Sequence, residues 1–401
     1  MMAGSDMRIK RQAGSGYIYG ADILRFAAAV LVAMFHLTWL NKSTSTISWF
    51  GWIGVEIFFV LSGFVIARSA SNTTPMRFVK SRILRLYPAA WVCTIISFLV
   101  VVFHVRGLSG LSIGLFARLG ASLMLLPTGP FIASAYWTLP IEIVFYGAVF
   151  CILLAGRIDR IEKLTTVLCI ASALYLCFYA CQVAGIINQP LLEFGYGWRN
   201  VLLLRHGIYF AFGIYLWLWS ERRLSRRGAA GWALALAMAP LEIACRSAEL
   251  VALMPAPVQL GTVWLVPILI WLGACAVLVA STAWRGRIAR LPAPLLRCIR
   301  VAGLSTYPLY LIHEDLGELL RDVLIGLGCP YLVAAVAAIG LCEIVAVLIA
   351  YVLEPAVRRV LNAAFVAIGE MRLPDPQIVP VLEHADNDDL VMRGPGGPDR
   401  R

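Results

Sequence analysis

Arg25 and His36 stand eleven residues apart inside the apolar run Ala21 to Leu40. At about 100° per residue this is three helical turns plus about 20°, which sets both on one face about 16 Å apart along the axis. One stripe therefore carries a fixed cation and, further on, an imidazole that exchanges protons near neutral pH. An ionised group at membrane depth costs about 2.5–3.5 kcal/mol on insertion and turns toward a protein interior or a watery path. A neutral imidazole there can take the proton of an attacking hydroxyl, and a carboxylate on its other nitrogen would fix the tautomer and stabilise the imidazolium. His36 is the expected general base, with Glu56 or Glu142 as its partner.

Counted from the outer ends of their apolar segments, His36, Glu56, Glu142, Arg205 and His313 all fall about 6–11 Å below one boundary. Arg205 at that level either joins the chemistry or neutralises one of the two carboxylates. Arg25 lies near the opposite boundary. Just beyond that boundary KSRILRLYP carries Arg82 and Arg85 three apart on one helix face, with Arg77 and Lys80 upstream. Guanidinium forks match phosphate oxygens, so this stretch could dock a phosphorylated cytosolic donor, and it also serves topology as a basic inner loop.

These residues need long helices to position them. With 60% hydrophobic and 14% charged residues over 401 positions, the chain departs from soluble domains, where about a quarter of residues are charged. Its mean hydropathy of +0.81 agrees. The reading is an all-α polytopic membrane protein of about ten spans: Ala21 to Leu40, Phe50 to Ala67, Pro88 to Val105, Trp137 to Ala155, Leu164 to Ile187, Val201 to Ser220, Gly228 to Cys245, Val258 to Thr282, Val301 to Leu319 and Tyr331 to Leu353. With the N-terminus inside, 26 of the 34 Lys and Arg fall on the cytoplasmic side and 6 outside, Arg25 and Arg205 being intramembrane. Both termini are thus expected in the cytoplasm, and the net charge of +11 reports topology rather than nucleic-acid binding. Leu108 to Leu126 would invert every later loop if it spanned, so it is expected as an interfacial or re-entrant helix. The basic residues Arg8, Lys10 and Arg11 precede a retained first span rather than a cleaved signal. Residues 1–19 form a cytoplasmic N-terminal segment, 20–359 the membrane domain, and 360–401 a cytoplasmic, disordered tail. The ten cysteines lie mostly in apolar runs without metal-ligand spacing, so no metal is expected.

Five stretches in order resemble acyltransferase family 3, integral membrane enzymes that O-acylate bacterial surface and secreted carbohydrates: Arg25 and His36 with ten residues between them, GWIGVEIFFVLSGF (51–64), SRILRLYP (81–88), YWTLPIEIVFY (136–146) and STYPLYLIHE (305–314). The resemblance covers about Gly20 to Arg359. It implies an acyl-CoA donor, usually acetyl-CoA, used as a substrate with no permanently bound cofactor. It further implies a carbohydrate hydroxyl acceptor such as exopolysaccharide, O-antigen or a lipid-linked saccharide, and a place in the bacterial cytoplasmic membrane among its lipids. The family's histidine, arginine and acidic position map onto His36, Arg25 and Glu56. Trp137, Glu142 and His313 occupy motif positions whose individual roles do not follow from the motif. Many relatives add an extracytoplasmic hydrolase-like domain, which is not expected here.

Intramembrane charges also suit a transporter or flippase, but the repeated halves and interrupted helices of many transporter folds are not evident. A lipid-phosphate glycosyltransferase usually needs acidic residues in a sizeable outer loop, and Asn41 to Trp49 holds none. In a cysteine-free background, single cysteines at Asn41, Asn188 and Asp322 should label from outside, and those at Ser81, Lys163 and Arg226 from inside. Outside labelling at position 163 would mean that Leu108 to Leu126 spans.

Overall fold

A backbone crosses hydrocarbon only by satisfying its own N–H and C=O groups, and the regular elements among the described residues are all helical. The computed structural model describes residues 17–44, 48–106, 111–187, 201–253, 263–367 and 369. In chain order come α1 (Tyr19–Thr38), a 3₁₀ turn Trp49–Ile53 leading into α2 (Gly54–Ala70), and α3 (Pro75–Val100), which ends in the π-helical turn Val101–Arg106. Then follow α4 (Ile113–Met124), a 3₁₀ turn Ser134–Trp137 leading into α5 (Thr138–Leu154), α6 (Ile161–Val183), α7 (Gly207–Ser220), α8 (Arg226–Val251) and α9 (Leu265–Ala283). The chain closes with α10 (Ala293–Ile312), α11 (Asp315–Gly326), α12 (Tyr331–Leu348), the π-helical stretch Ile349–Leu353 and α13 (Glu354–Ala367).

Eight helical stretches among the described residues are long and apolar enough to cross a membrane. The chain is an all-α, polytopic membrane protein. Two further expected spans are helices that differ from these eight: α7 has only 14 residues, and α10 carries Arg297 and Arg300 near its start. α4 has 12 residues, about 18 Å of helix, well short of about 30 Å of hydrocarbon. It is tied to α3 by Trp91 Nε1, which donates to the Leu123 carbonyl at 2.9 Å.

Several boundaries move from their expected places, each for a local reason. α3 begins at Pro75 rather than Pro88, because Thr74 caps it by accepting from the Arg77 N–H and Pro75 sits at the first helical position. Arg82 and Arg85 therefore ride on the spanning helix itself. The expected span Val301 to Leu319 breaks at His313 and Glu314, and a separate amphipathic helix, α11, follows. α13 runs across the boundary drawn at 359/360 as far as Ala367, so those residues are helical rather than disordered. The remaining tail and residues 1–16, with their expected roles, lie outside the described residues.

The core is set by small residues as much as by large ones. α2 and α7 pack along each other more extensively than any other pair of helices. They meet at Gly63 and Gly213, where an added Cβ would stand 2.2 Å from the Phe210 carbonyl oxygen and 2.1 Å from that of Val60. Backbone oxygens cannot step aside as a side-chain tip can. Gly63→Val and Gly213→Val should each destabilise the protein by at least about 1–3 kcal/mol through overpacking. Thermal unfolding in detergent checks this, with Gly147→Val, which meets nothing within 4 Å, as the near-neutral control.

Candidate active site

His36 ends up beside an imidazole rather than a carboxylate. Its Nδ1 lies 3.0 Å from His313 Nε2 and 3.1 Å from the Val32 carbonyl oxygen, while His313 Nδ1 lies 2.7 Å from the Tyr310 carbonyl oxygen. A carbonyl only accepts, so His313 carries its hydrogen on Nδ1, and its neutral ring offers Nε2 as an acceptor. His36 Nδ1 then donates, and the lone pair of His36 is left on Nε2. The two rings form a directed chain ending on a backbone carbonyl, which does for His36 what a carboxylate was expected to do. His313 is fully buried and His36 is partly exposed. Glu314 accepts from Ser134 Oγ at 2.8 Å and the Ala135 N–H at 3.1 Å, and its charge acts on both rings.

Glu142 and Glu56, the partners expected for His36, lie elsewhere. Glu142 accepts from Ser62 Oγ at 2.8 Å and Tyr146 OH at 2.5 Å. Ser62 is six residues past Glu56 on α2, about 9 Å further along the axis, so Glu142 leaves the common level.

Glu56 belongs to a buried knot around Arg205. The Arg205 guanidinium donates to Glu242 at 2.7 Å and grips both oxygens of Glu249 at 3.2 and 3.1 Å, and its carbon sits 5.1 Å from the Tyr179 ring centroid. Tyr209 OH donates to the second oxygen of Glu242 at 2.8 Å. Arg205 does neutralise carboxylates, but they are Glu242 and Glu249 rather than Glu56 or Glu142. Glu56 Oε2 has no hydrogen-bond partner and lies 4.0 Å from His206 Nδ1. Trp137 faces the same place, its ring 5.6 Å from that of His206. Glu56, His206 and Glu242 bring one ligand atom each within 4.8 Å of the others. With Arg246 on Glu249 at 3.1 Å, three carboxylates face two guanidinium groups. One further positive charge would balance the knot.

The second functional feature is a cavity of about 540 Å³ enclosed by α1, α2, α3, α5, α10 and α13. Six arginines line it, Arg25, Arg77, Arg82, Arg85, Arg300 and Arg358, against three carboxylates, Asp22, Glu142 and Glu354. It thus unites Arg25, Arg82 and Arg85, the donor residues expected from the sequence. Arg82 stacks over Phe78 and Tyr146 at 5.6 and 5.8 Å, and Arg85 over Tyr307 at 5.6 Å, which keeps their forks oriented without neutralising them. Along α10 the lining runs from Arg300 to Tyr310, about 15 Å of rise. The end away from the arginines is lined by Val55, Phe58, Thr138 and Tyr310. Tyr310 meets Thr138 Oγ1 at 3.1 Å, and its ring centroid lies 5.7 Å from that of His313.

The acyltransferase domain of family 3 matches residues 18–353. The chain belongs to acyltransferase family 3. A protein named as a membrane-bound transacylase, BcsY of Komagataeibacter xylinus, is 42% identical over 71 residues, which is 17% of this chain and 16% of that protein. No solved structure matches the chain. Family membership makes acyl transfer the supported class of reaction, carried out by an integral membrane protein.

Sequence reasoning missed Asp22, His206, Glu242, Glu249, Arg300, Glu314 and Arg358. Glu314 had a signal, because it directly follows His313 where the apolar pattern of α10 stops. Glu242 and Glu249 had one too, lying seven apart on one face of α8. Because breaking a buried ion pair costs about 3–5 kcal/mol, Glu242→Ala should give little folded protein by detergent size-exclusion, whereas His36→Ala should elute as the wild type does.

Proposed function

We propose that this acyltransferase family 3 protein transfers an acyl group, acetyl in the simplest case, from acyl-CoA to a carbohydrate hydroxyl, with His36 as general base. The observation that carries the reading is the alignment of an arginine-lined cavity with a histidine pair beside its Tyr310 end. The donor enters from the cytoplasm, its phosphates held by Arg25, Arg82 and Arg85 and its thioester directed toward Tyr310. The acceptor approaches His36 from the outer side of a bacterial cytoplasmic membrane. With both termini in the cytoplasm, this agrees with the distribution of Lys and Arg.

In the reaction, His36 Nε2 takes the acceptor proton as the hydroxyl oxygen bonds to the thioester carbonyl carbon. The new imidazolium keeps its Nδ1–H on His313 Nε2, and Glu314 lowers the cost of the charge. Collapse of the tetrahedral intermediate breaks the carbon–sulfur bond, and the departing thiolate recovers the proton from Nε2. His313 orients and Glu314 stabilises. Glu142, inside the cavity and bonded to Ser62 and Tyr146, balances the arginines instead of touching His36.

A positioned base contributes about 10² to 10⁴ in rate, so His36→Ala and His36→Gln should both lose transfer by that factor while still binding acetyl-CoA. Radiolabelled acetyl transfer to surface glycan, with calorimetry for donor binding, checks both. Activity should fall toward acid pH as the base protonates, which a pH profile of transfer checks. Arg82→Ala with Arg85→Ala should instead weaken donor binding. Near-normal transfer by well-expressed His36→Ala would overturn the assignment.

A further inference from the structure

At the arginine-rich end of the cavity, one carboxylate is shared by two helices. Asp22 on α1 is buried, at 1% exposure, yet lines the cavity. Its Oδ1 lies 3.5 Å from Arg25 Nη1 one turn on, and its Oδ2 lies 3.5 Å from Arg300 Nη1 on α10. Tyr17 OH donates to Oδ2 at 2.5 Å and also contacts Arg300, whose guanidinium carbon stands 4.9 Å over the Tyr17 ring. The opposite wall has been emptied for it: a Cβ at Gly303 would come within 2.4 Å of Asp22 Cγ.

We infer that Asp22 is a positioning residue for the donor, holding Arg25 and Arg300 together as one phosphate-reading pair across the α1–α10 seam. The inference rests on the donor reading of the cavity given above. Two guanidinium groups bound to one carboxylate retain a net charge of +1, so the trio still attracts an anion. Without the carboxylate the two cations repel, and each long side chain must be immobilised when a phosphate arrives. Asp22 itself, being negative, makes no contact with phosphate. Its effect passes through the two arginines, with Tyr17 and the bare face at Gly303 fixing the carboxylate between them.

The test compares two perturbations and two ligands in the full-length protein purified in detergent. Asp22→Asn removes the charge, and Gly303→Ala displaces the carboxylate from behind while leaving every charge in place. Calorimetry is run with acetyl-CoA and with S-acetylpantetheine, which shares the thioester arm but has no phosphate. Both variants should bind acetyl-CoA about tenfold more weakly, the loss expected when a charge-assisted contact is misaligned, and S-acetylpantetheine within twofold of wild type. Equal weakening of both ligands would overturn the inference in favour of a purely structural role. Unchanged acetyl-CoA affinity in both variants, while Arg82→Ala with Arg85→Ala lowers it, would also overturn it and leave the donor reading standing. Failure of the wild type itself to bind acetyl-CoA would instead remove the donor reading, and the inference with it.

Discussion

A charge inside hydrocarbon must find a partner or water, and this requirement sorts the polar side chains of the protein into three groups. The arginines of α1, α3, α10 and α13 share a cavity large enough for solvent or a ligand, where three carboxylates offset only part of their charge. Arg205 has no such space and is surrounded by Glu242, Glu249 and the Tyr179 ring, at 2% exposure. The histidine pair avoids the problem by staying neutral, each ring nitrogen that bears hydrogen having an acceptor. The same restraint explains why α2 and α7 meet backbone to backbone, since lipid offers apolar side chains no gain over their neighbours and close packing must supply the cohesion.

Much of this was legible before the fold was known, because spacing along a helix is a strong constraint. Arg25 and His36 do share α1, and His36 does meet another of the residues expected at its level, His313. The inner arginines do converge, since Arg82 and Arg85 lie one turn apart on α3 and their targets are on the neighbouring helices. What could not be read was which helices face one another. Glu142 was assigned to His36 by depth alone. Its contacts with Ser62 and Tyr146 turn it into the cavity instead. Glu249 went unnoticed because α8 extends to Val251, past Cys245 where its apolar window ended, whereas Glu242 lay inside that window and was passed over. Asp22 gave no separate signal, for its meaning depends on Arg300, distant in sequence and joined to it only by the packing of α10 on α1.

On the reading proposed above, cavity and histidine pair divide the labour, the one holding the donor and the other activating the acceptor. Tyr310 contributes to both halves, its ring to the cavity end and its carbonyl to the His313 hydrogen bond. A displacement of that turn would disturb the cavity end and the His313 ring together, so the two halves of the candidate site share a single stretch of α10.

The composition of the cavity's far end has a further consequence, one of insulation. A passage lined by six arginines and open to both faces would conduct small anions, and each elementary charge moved across the membrane dissipates about 2.3 kcal/mol per 100 mV of potential. Val55, Phe58, Thr138 and Tyr310 bring no ionised group to the lining beyond the arginines, and the Tyr310 hydroxyl meets Thr138 there. Ending the basic lining at that level keeps the vestibule's charge from forming part of a continuous anion path across the membrane.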